Sequence, residues 1–346
     1  MSPLVPRRLI LASLLLGCSL LVPTRAAAEL VWTPQTGWKV EGGILAGVSG
    51  KDAQNALAYM NKARAAEEKN SQRKAIKYYT RVAKKYPNSL YASEAQYRLG
   101  NLRLARKQYL KAFDAYQTVA LRYPSTTRFD EIIGKQYHIA TSLLDGARGR
   151  IWGIFPGFTN REKALEELEI VLIEAPYSDY APLALLSIAR GHQYFKNTEE
   201  ALDALDRMVN NYPQSVLTPD AYLDLGKTHS SLVEGPYYDQ GSTRDAITYF
   251  EDFMILYPSD NNVGTAEKGL TDMKRVMAES KMKIADFYFK RRDNYKAARV
   301  FYNEAITVYP DSDIAARART RLTEVDAAAA KAAVPAQPKK KRFFFF

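Results

Sequence analysis

YRLGNLRLARKQYLKAFDAYQTVALRYP, Tyr97 to Pro124, is the stretch whose reading decides the fold. It reads as two amphipathic helices joined by a short turn, with Leu99 and Gly100 on the first and Ala112 and Tyr116 on the second. Pro124 closes the second helix, because proline cannot donate the next helical hydrogen bond. Gly100 and Ala112 let the two backbones approach, and Tyr116 is expected to fill the groove toward the next pair.

Outward from this stretch the same phrase returns: KKYPNS at Pro87, EAPYS at Pro176, NNYPQS at Pro213, ILYPSD at Pro258 and TVYPDS at Pro310. Twelve residues before the six prolines stand Ala75, Ala112, Ala164, Ala201, Ala246 and Ala298, and eight before them the large residues Tyr79, Tyr116, Leu168, Leu205, Phe250 and Tyr302. Upstream of each alanine lies another amphipathic segment with its own small residue, Ala63, Gly100, Ala140, Ala189, Gly226 or Ala285. The pattern resembles the tetratricopeptide repeat, two antiparallel helices in about 34 residues. It predicts an all-α tetratricopeptide-repeat solenoid over 51–325, about six helix pairs stacked as a right-handed superhelix with a concave face, closed by a polar cap from Ala315 to Val325. A leader rich in aromatics and glycine, 29–50, precedes it, and a low-complexity basic tail, 326–346, ends in four phenylalanines.

Two spacers are longer than the rest. After Ala140 the second helix is delayed by twelve extra residues that include Trp152, Phe155 and Phe158; after Gly226 the delay is eight, including Tyr237 and Tyr238. Insertions in a solenoid map to loops on one face and are often binding sites. The alternative is that the rings fold back over a neighbouring helix as a local plug.

The net charge of +11 suggests nucleic acid until it is located, since Arg7, Arg8 and Arg25 and then Lys331, Lys339, Lys340, Lys341 and Arg342 leave the body at +3. A nucleic-acid function loses its support. The first 28 residues have two arginines, an apolar run and small residues, the pattern of a secretory signal. Two processing sites compete: Leu15-Leu16-Gly17-Cys18 resembles a bacterial lipobox that would lipidate Cys18, while Ala26-Ala27-Ala28 before Glu29 suits ordinary cleavage. Cys18 is the only cysteine, so the mature chain has no disulfide. One acyl chain holds a protein to a membrane only marginally without a basic patch or a partner.

Catalysis has little to stand on. His138, His192 and His229 fall in different predicted helices without carboxylates at ligand spacing, and the carboxylate pairs Glu166-Glu167 and Glu199-Glu200 are expected on solvated helix faces. No phosphate-binding loop, nucleophile elbow or cysteine nucleophile occurs, so the expectation is a non-enzymatic adaptor with no metal and no cofactor.

Within this repeat class, residues 160 to 325 are similar to the BamD family, the periplasmic repeat component of the machine that assembles outer-membrane β-barrels. The resemblance rests on YDQGSTRDAITYFEDFMILYP behind its long loop, on TAEKGLTDMKRVMAESKMKIADFYFKRRDNYKAA, which predicts an extended helix near 266–291, and on VFYNEAITVYPDSDIAARARTRL. It implies a place at the periplasmic face of the bacterial outer membrane, docking on a BamA-like barrel protein, and reception of unfolded β-barrel substrates along the N-terminal concave face. By the same resemblance the docking surface would use Tyr237, Tyr238, Asp239, Arg291, Arg292 and Tyr295. The chain departs from the family in its two extra repeats near 56–126, its leader and its imperfect lipobox. Membrane contact is expected through a Cys18 lipid or through the tail, where four cations precede Phe343 to Phe346. Two other readings stay open: a Tol-Pal-associated adaptor, whose repeats share the YPxS phrasing but lack the long helix, and an envelope glycan-binding or glycan-processing protein using the aromatic loops as sugar platforms.

Overall fold

The computed structural model describes residues 29–41, 50–151 and 154–333, and thirteen helices account for about three quarters of them. The chain divides into two compact units, one up to Asn160 and one from Arg161 onward. The division falls at the longest predicted spacer, between the two helices of the third predicted pair.

Unit 1 holds α1 (Lys51–Glu68), α2 (Gln72–Lys85), α3 (Ala92–Ala105), α4 (Tyr109–Arg122) and α5 (Phe129–Leu144), each packed on the next. Before them, β1 (Glu29–Thr33) and β2 (Gly37–Glu41) form an antiparallel hairpin in which Trp32 faces Trp38. Sequence reading left this leader unassigned; it covers α1. Trp38 is buried, and its backbone N–H donates to Asn61 Oδ1 of α1 at 3.0 Å. The guanidinium of Arg64 lies 4.3 Å from the Trp32 ring and that of Arg98 lies 5.3 Å from the Trp38 ring. A terminal repeat lacks a neighbour to cover its outer face, and the hairpin supplies one.

Unit 2 holds α6 (Arg161–Glu174), α7 (Tyr180–Phe195), α8 (Thr198–Asn211), α9 (Thr218–Ser231), α10 (Gly241–Leu256), α11 (Val263–Arg292), α12 (Tyr295–Val308) and α13 (Asp313–Ala333). Again each helix packs on the next, and α13 also packs on α11. The expected extended helix is α11, 30 residues and so about 45 Å long. The last helix runs past the predicted cap, since residues 326–333, expected in the low-complexity tail, continue it. Alanine has the highest intrinsic helix propensity, and AAAAKAA needs no partner to remain helical once a packed helix leads into it.

All six repeat alanines are fully buried, and so are the large residues four positions on. The Phe250 ring reaches the first helix of the next pair, as expected, whereas the Tyr116 ring lies close against the first helix of its own pair. A Cβ on Gly100 would stand 2.6 Å from Tyr116 Cε1, so the Tyr116 ring lies against the first helix of its own pair. The Phe250 ring lies between Gly226 of α9 and Gly269 of α11, which a Cβ would approach to 2.6 and 2.5 Å. The YP phrase is explained by its turn. A residue before proline is pushed out of the α region, and Tyr86, Tyr123, Tyr212 and Tyr257 all stop their helices near φ −130° and ψ 50°. The following serine closes the turn: Ser89 Oγ donates to the Tyr86 carbonyl at 2.8 Å, and Ser312 Oγ to that of Tyr309 at 2.6 Å. The tyrosines then join successive repeats, Tyr123 Oη donating to the Pro87 carbonyl at 2.5 Å and Tyr212 Oη to that of Pro176 at 2.8 Å.

Candidate functional site

The loop between α9 and α10 is built to hold a shape. Gly235 sits at φ +128°, a conformation closed to side chains, and Pro236 fixes the next residue. Gln240 Nε2 donates to the carbonyls of Gly235 at 3.0 Å and Tyr238 at 2.8 Å, and Asp239 Oδ2 accepts from Gly241 N at 3.0 Å where α10 begins. So fixed, the loop exposes Tyr237 (79%) and Tyr238 (60%). Tyr237 is held from behind: Lys283 Nζ of α11 donates to its hydroxyl at 2.5 Å and lies 3.7 Å from the ring centre.

One turn further along α11, Phe287 is 46% exposed with the Arg292 guanidinium 5.4 Å from its ring. Lys290, Arg291 and Arg292 crowd the last turn, where the partial negative charge of the helix end favours cations. Lys290 pairs with Asp286 at 2.9 Å, and Tyr302 also donates to that carboxylate. Burial pushes the Asp286 carboxyl up, but the bonds from Lys290 and Tyr302 outweigh it and hold the group below the usual carboxylate range. Of the six predicted docking residues, the loop and the end of α11 therefore expose five: Tyr237, Tyr238, Asp239, Arg291 and Arg292. Tyr295 differs. It is half-buried against Phe289, ring centres 6.3 Å apart, and belongs to the packing of α11 on α12. Sequence reading missed Lys283 and Phe287; their spacing of four on an extended helix was the available signal.

In unit 1 the other long spacer forms a short hairpin, β3 (Arg150–Ile151) and β4 (Phe155–Pro156), hooked onto the turn between α3 and α4 by Arg150 N donating to the Lys107 carbonyl at 2.8 Å. Phe155 is 57% and Phe158 83% exposed, beside half-exposed Ile151 and Ile154, so these side chains do not form a buried plug. Trp152 and Cys18 lie outside the described residues.

Among the described residues no group of three metal-ligating side chains forms, and no helix is long and apolar enough to cross a membrane. His229 of α9 stacks on Tyr249 of α10, ring centres 5.4 Å apart, and the Tyr249 hydroxyl donates to Asp206 Oδ1 of α8 at 2.7 Å. Burial pushes the His229 imidazole down, with Asp245 partly opposing from 3.9 Å. The solvated position expected for Glu167 is corrected: it is buried at 3% exposure, because it lies on the inward face of α6 with Ala164, Leu168 and Val171, and Lys163 reaches it at 3.7 Å.

These features define an all-α tetratricopeptide-repeat protein whose repeats present surfaces. The tetratricopeptide-repeat family model matches residues 57–89 and 94–126, and the model described as YfiO, outer membrane lipoprotein, matches 159–324, from the unit boundary into α13. The latter is the BamD-like lipoprotein family. No curated protein matches the chain. Among solved structures it is similar to a tetratricopeptide repeat protein from Parabacteroides merdae (14% identity, 80% of this chain and 100% of that one, TM-score 0.30). A second is the C-terminal part of a repeat-containing protein from Cytophaga hutchinsonii (17%, 76% and 87%, TM-score 0.33), and a third is PilW, a type IV pilus biogenesis factor (17%, 79% and 98%, TM-score 0.26). At these scores the likenesses add nothing to the fold already described.

Proposed function

We propose that the chain is a non-enzymatic scaffold at the periplasmic face of the bacterial outer membrane. In this reading unit 2 docks on periplasmic domains of a BamA-like barrel protein, and the N-terminal repeats receive extended segments of unfolded β-barrel proteins. One observation carries it: the YfiO match falls on one compact unit, whose long spacer and 30-residue helix meet in an exposed surface of aromatic rings and cations. Tyrosine and arginine are the side chains that most often dominate protein interfaces. Tyr237, Tyr238, Asp239, Arg291 and Arg292 form the docking surface, and the exposed Phe155 and Phe158 of unit 1 offer a second apolar contact.

Co-purification from crosslinked envelopes tests the proposal. The expected result is recovery of a large barrel protein with periplasmic repeats, reduced about tenfold or more by Tyr237→Ala combined with Arg291→Glu. Recovery of Tol components alone sinks it.

A further inference from the structure

Charge is distributed less evenly than a body at +3 suggests. Residues 51–126 hold sixteen lysines and arginines against five acidic residues, whereas residues 161–330 hold twenty against twenty-eight. In unit 1 the excess has a focus. Helix α2, QRKAIKYYTRVAKK, carries Arg73, Lys74, Lys77, Arg81, Lys84 and Lys85, and no acidic residue. With 3.6 residues per turn, all six project within an arc of about 120° along roughly 21 Å of helix. The opposite side of the helix, Ala75, Tyr79 and Val82, is fully buried.

None of the six pairs with a carboxylate among the described residues. Of the nearby acids, Glu67 is engaged with Arg64 at 2.7 Å and Arg98 at 3.5 Å, and Glu94 with Arg98 at 2.7 Å and with Arg128, while Asp114 of α4 lines the same cleft as Lys84 without pairing with it. Like charges spaced by four on a helix destabilise it, so an unpaired row of this density opposes the fold that carries it unless a partner neutralises it. Three half-buried tyrosines line the arc. Tyr59 stacks on Tyr78 and Tyr86 at 6.3 and 6.4 Å, and the Arg81 guanidinium lies 5.1 Å from the Tyr59 ring.

We propose that the cationic face of α2 attaches the protein to an anionic membrane surface, the headgroup phosphates of anionic phospholipids being its ligands. A convex helix face presents six charges to a plane at once. Tyrosines that stack on one another have their faces occupied, which argues against a single-stranded nucleic acid, whose bases need free rings. Tyrosine rings at the margin of a basic face suit a headgroup layer. This attachment is independent of the partner docked by unit 2. It supplies the second attraction that a lone acyl chain on Cys18 would need, and it does not require that chain.

Co-sedimentation with vesicles tests it. The mature chain is used with Cys18→Ser and with Lys339, Lys340, Lys341 and Arg342 changed to Gln, so that neither lipid nor tail charge contributes. The expected result is binding to phosphatidylcholine vesicles containing roughly one-third phosphatidylglycerol, at least about tenfold weaker binding to phosphatidylcholine alone, and loss of binding as salt shortens the screening length. At about fivefold per cation, Lys77→Gln, Arg81→Gln and Lys84→Gln together lower partitioning about a hundredfold without lowering the melting temperature. Lys268→Gln, Arg275→Gln and Lys296→Gln, exposed cations of unit 2, change it less than about twofold. Equal binding to both vesicle types, equal losses from the two triple variants, or no vesicle binding overturns the proposal. It is also overturned if the α2 variant instead abolishes capture of an oligonucleotide or self-association of the chain while vesicle binding stays unchanged.

Discussion

In unit 1 the ring at the second repeat's crossing, Tyr116, rests on one glycine; in unit 2 the ring at the fifth, Phe250, is enclosed between two. The chemistry of the two rings accounts for the difference. Tyr116 carries a hydroxyl that must find a partner when buried, and it donates to Asn101 Oδ1 at 2.7 Å, which commits the ring's far end to α3. Phe250 has no polar end, so both faces can meet backbone, and Gly269 brings α11 onto the ring that already joins α9 to α10. A two-helix crossing has become a three-helix joint, which positions the long helix carrying Lys283, Phe287 and Arg291.

The largest expected effect tests that joint. Phe250→Ala removes a fully enclosed ring and should cost about 3–5 kcal/mol of stability, with hydrogen exchange losing protection across α9, α10 and α11 together. Gly269→Ala drives a methyl group into the ring and should cost about 1–3 kcal/mol in denaturant titrations. A Gly269→Ala variant as stable as the parent would show that α11 does not rest on this ring.

A second test asks where the units are alike. The tyrosine of the YP turn bonds a proline carbonyl one repeat back in both, Tyr123 to Pro87 and Tyr212 to Pro176. Tyr123→Phe and Tyr212→Phe should each cost about 1 kcal/mol, the net contribution of one such bond. Effects differing severalfold between the two would mean that the repeat turn is not a common part of both units.

What could be read from the sequence follows from which contacts are local. Ala75 through Ala298, the YP turns and α11 were legible, because helix periodicity and fixed spacing report contacts between neighbouring helices. Gly269 escaped notice because it lies outside the repeat phrase and its reason, the far face of Phe250, belongs to the preceding helix. The leader hairpin left a weaker trace, a few alternating residues either side of Thr33-Pro34-Gln35-Thr36-Gly37, and only α1 gives it a surface to pack on. For the candidate site, the tyrosine loop and the Arg291-Arg292 pair were legible, whereas the inward turn of Tyr295 depends on Phe289 across a helix junction. The cations of α2 were visible one by one, but summing charge along the chain cancelled them against the acids of unit 2.

The smallest effect belongs to unit 2 alone and is read with pH. His229 is mostly buried against Tyr249, and burial lowers its folded pKa below the ordinary 6.5. A depressed histidine binds its proton more readily in the unfolded chain, so its contribution to stability is complete above about pH 6.5 and is lost as pH falls toward the folded value. Asp245, 3.9 Å from Nδ1, opposes part of the depression, which keeps the effect small. Urea midpoints compared at about pH 7.5 and about pH 5.5 should therefore fall more in the parent than in His229→Gln, and more again in Asp245→Asn, where the imidazolium loses the larger of its two compensating charges, Asp206 being the other. Parallel pH profiles in the parent and His229→Gln would mean that the ring is solvated in both states, and the stacked contact that links α9 to α10 would have to be withdrawn.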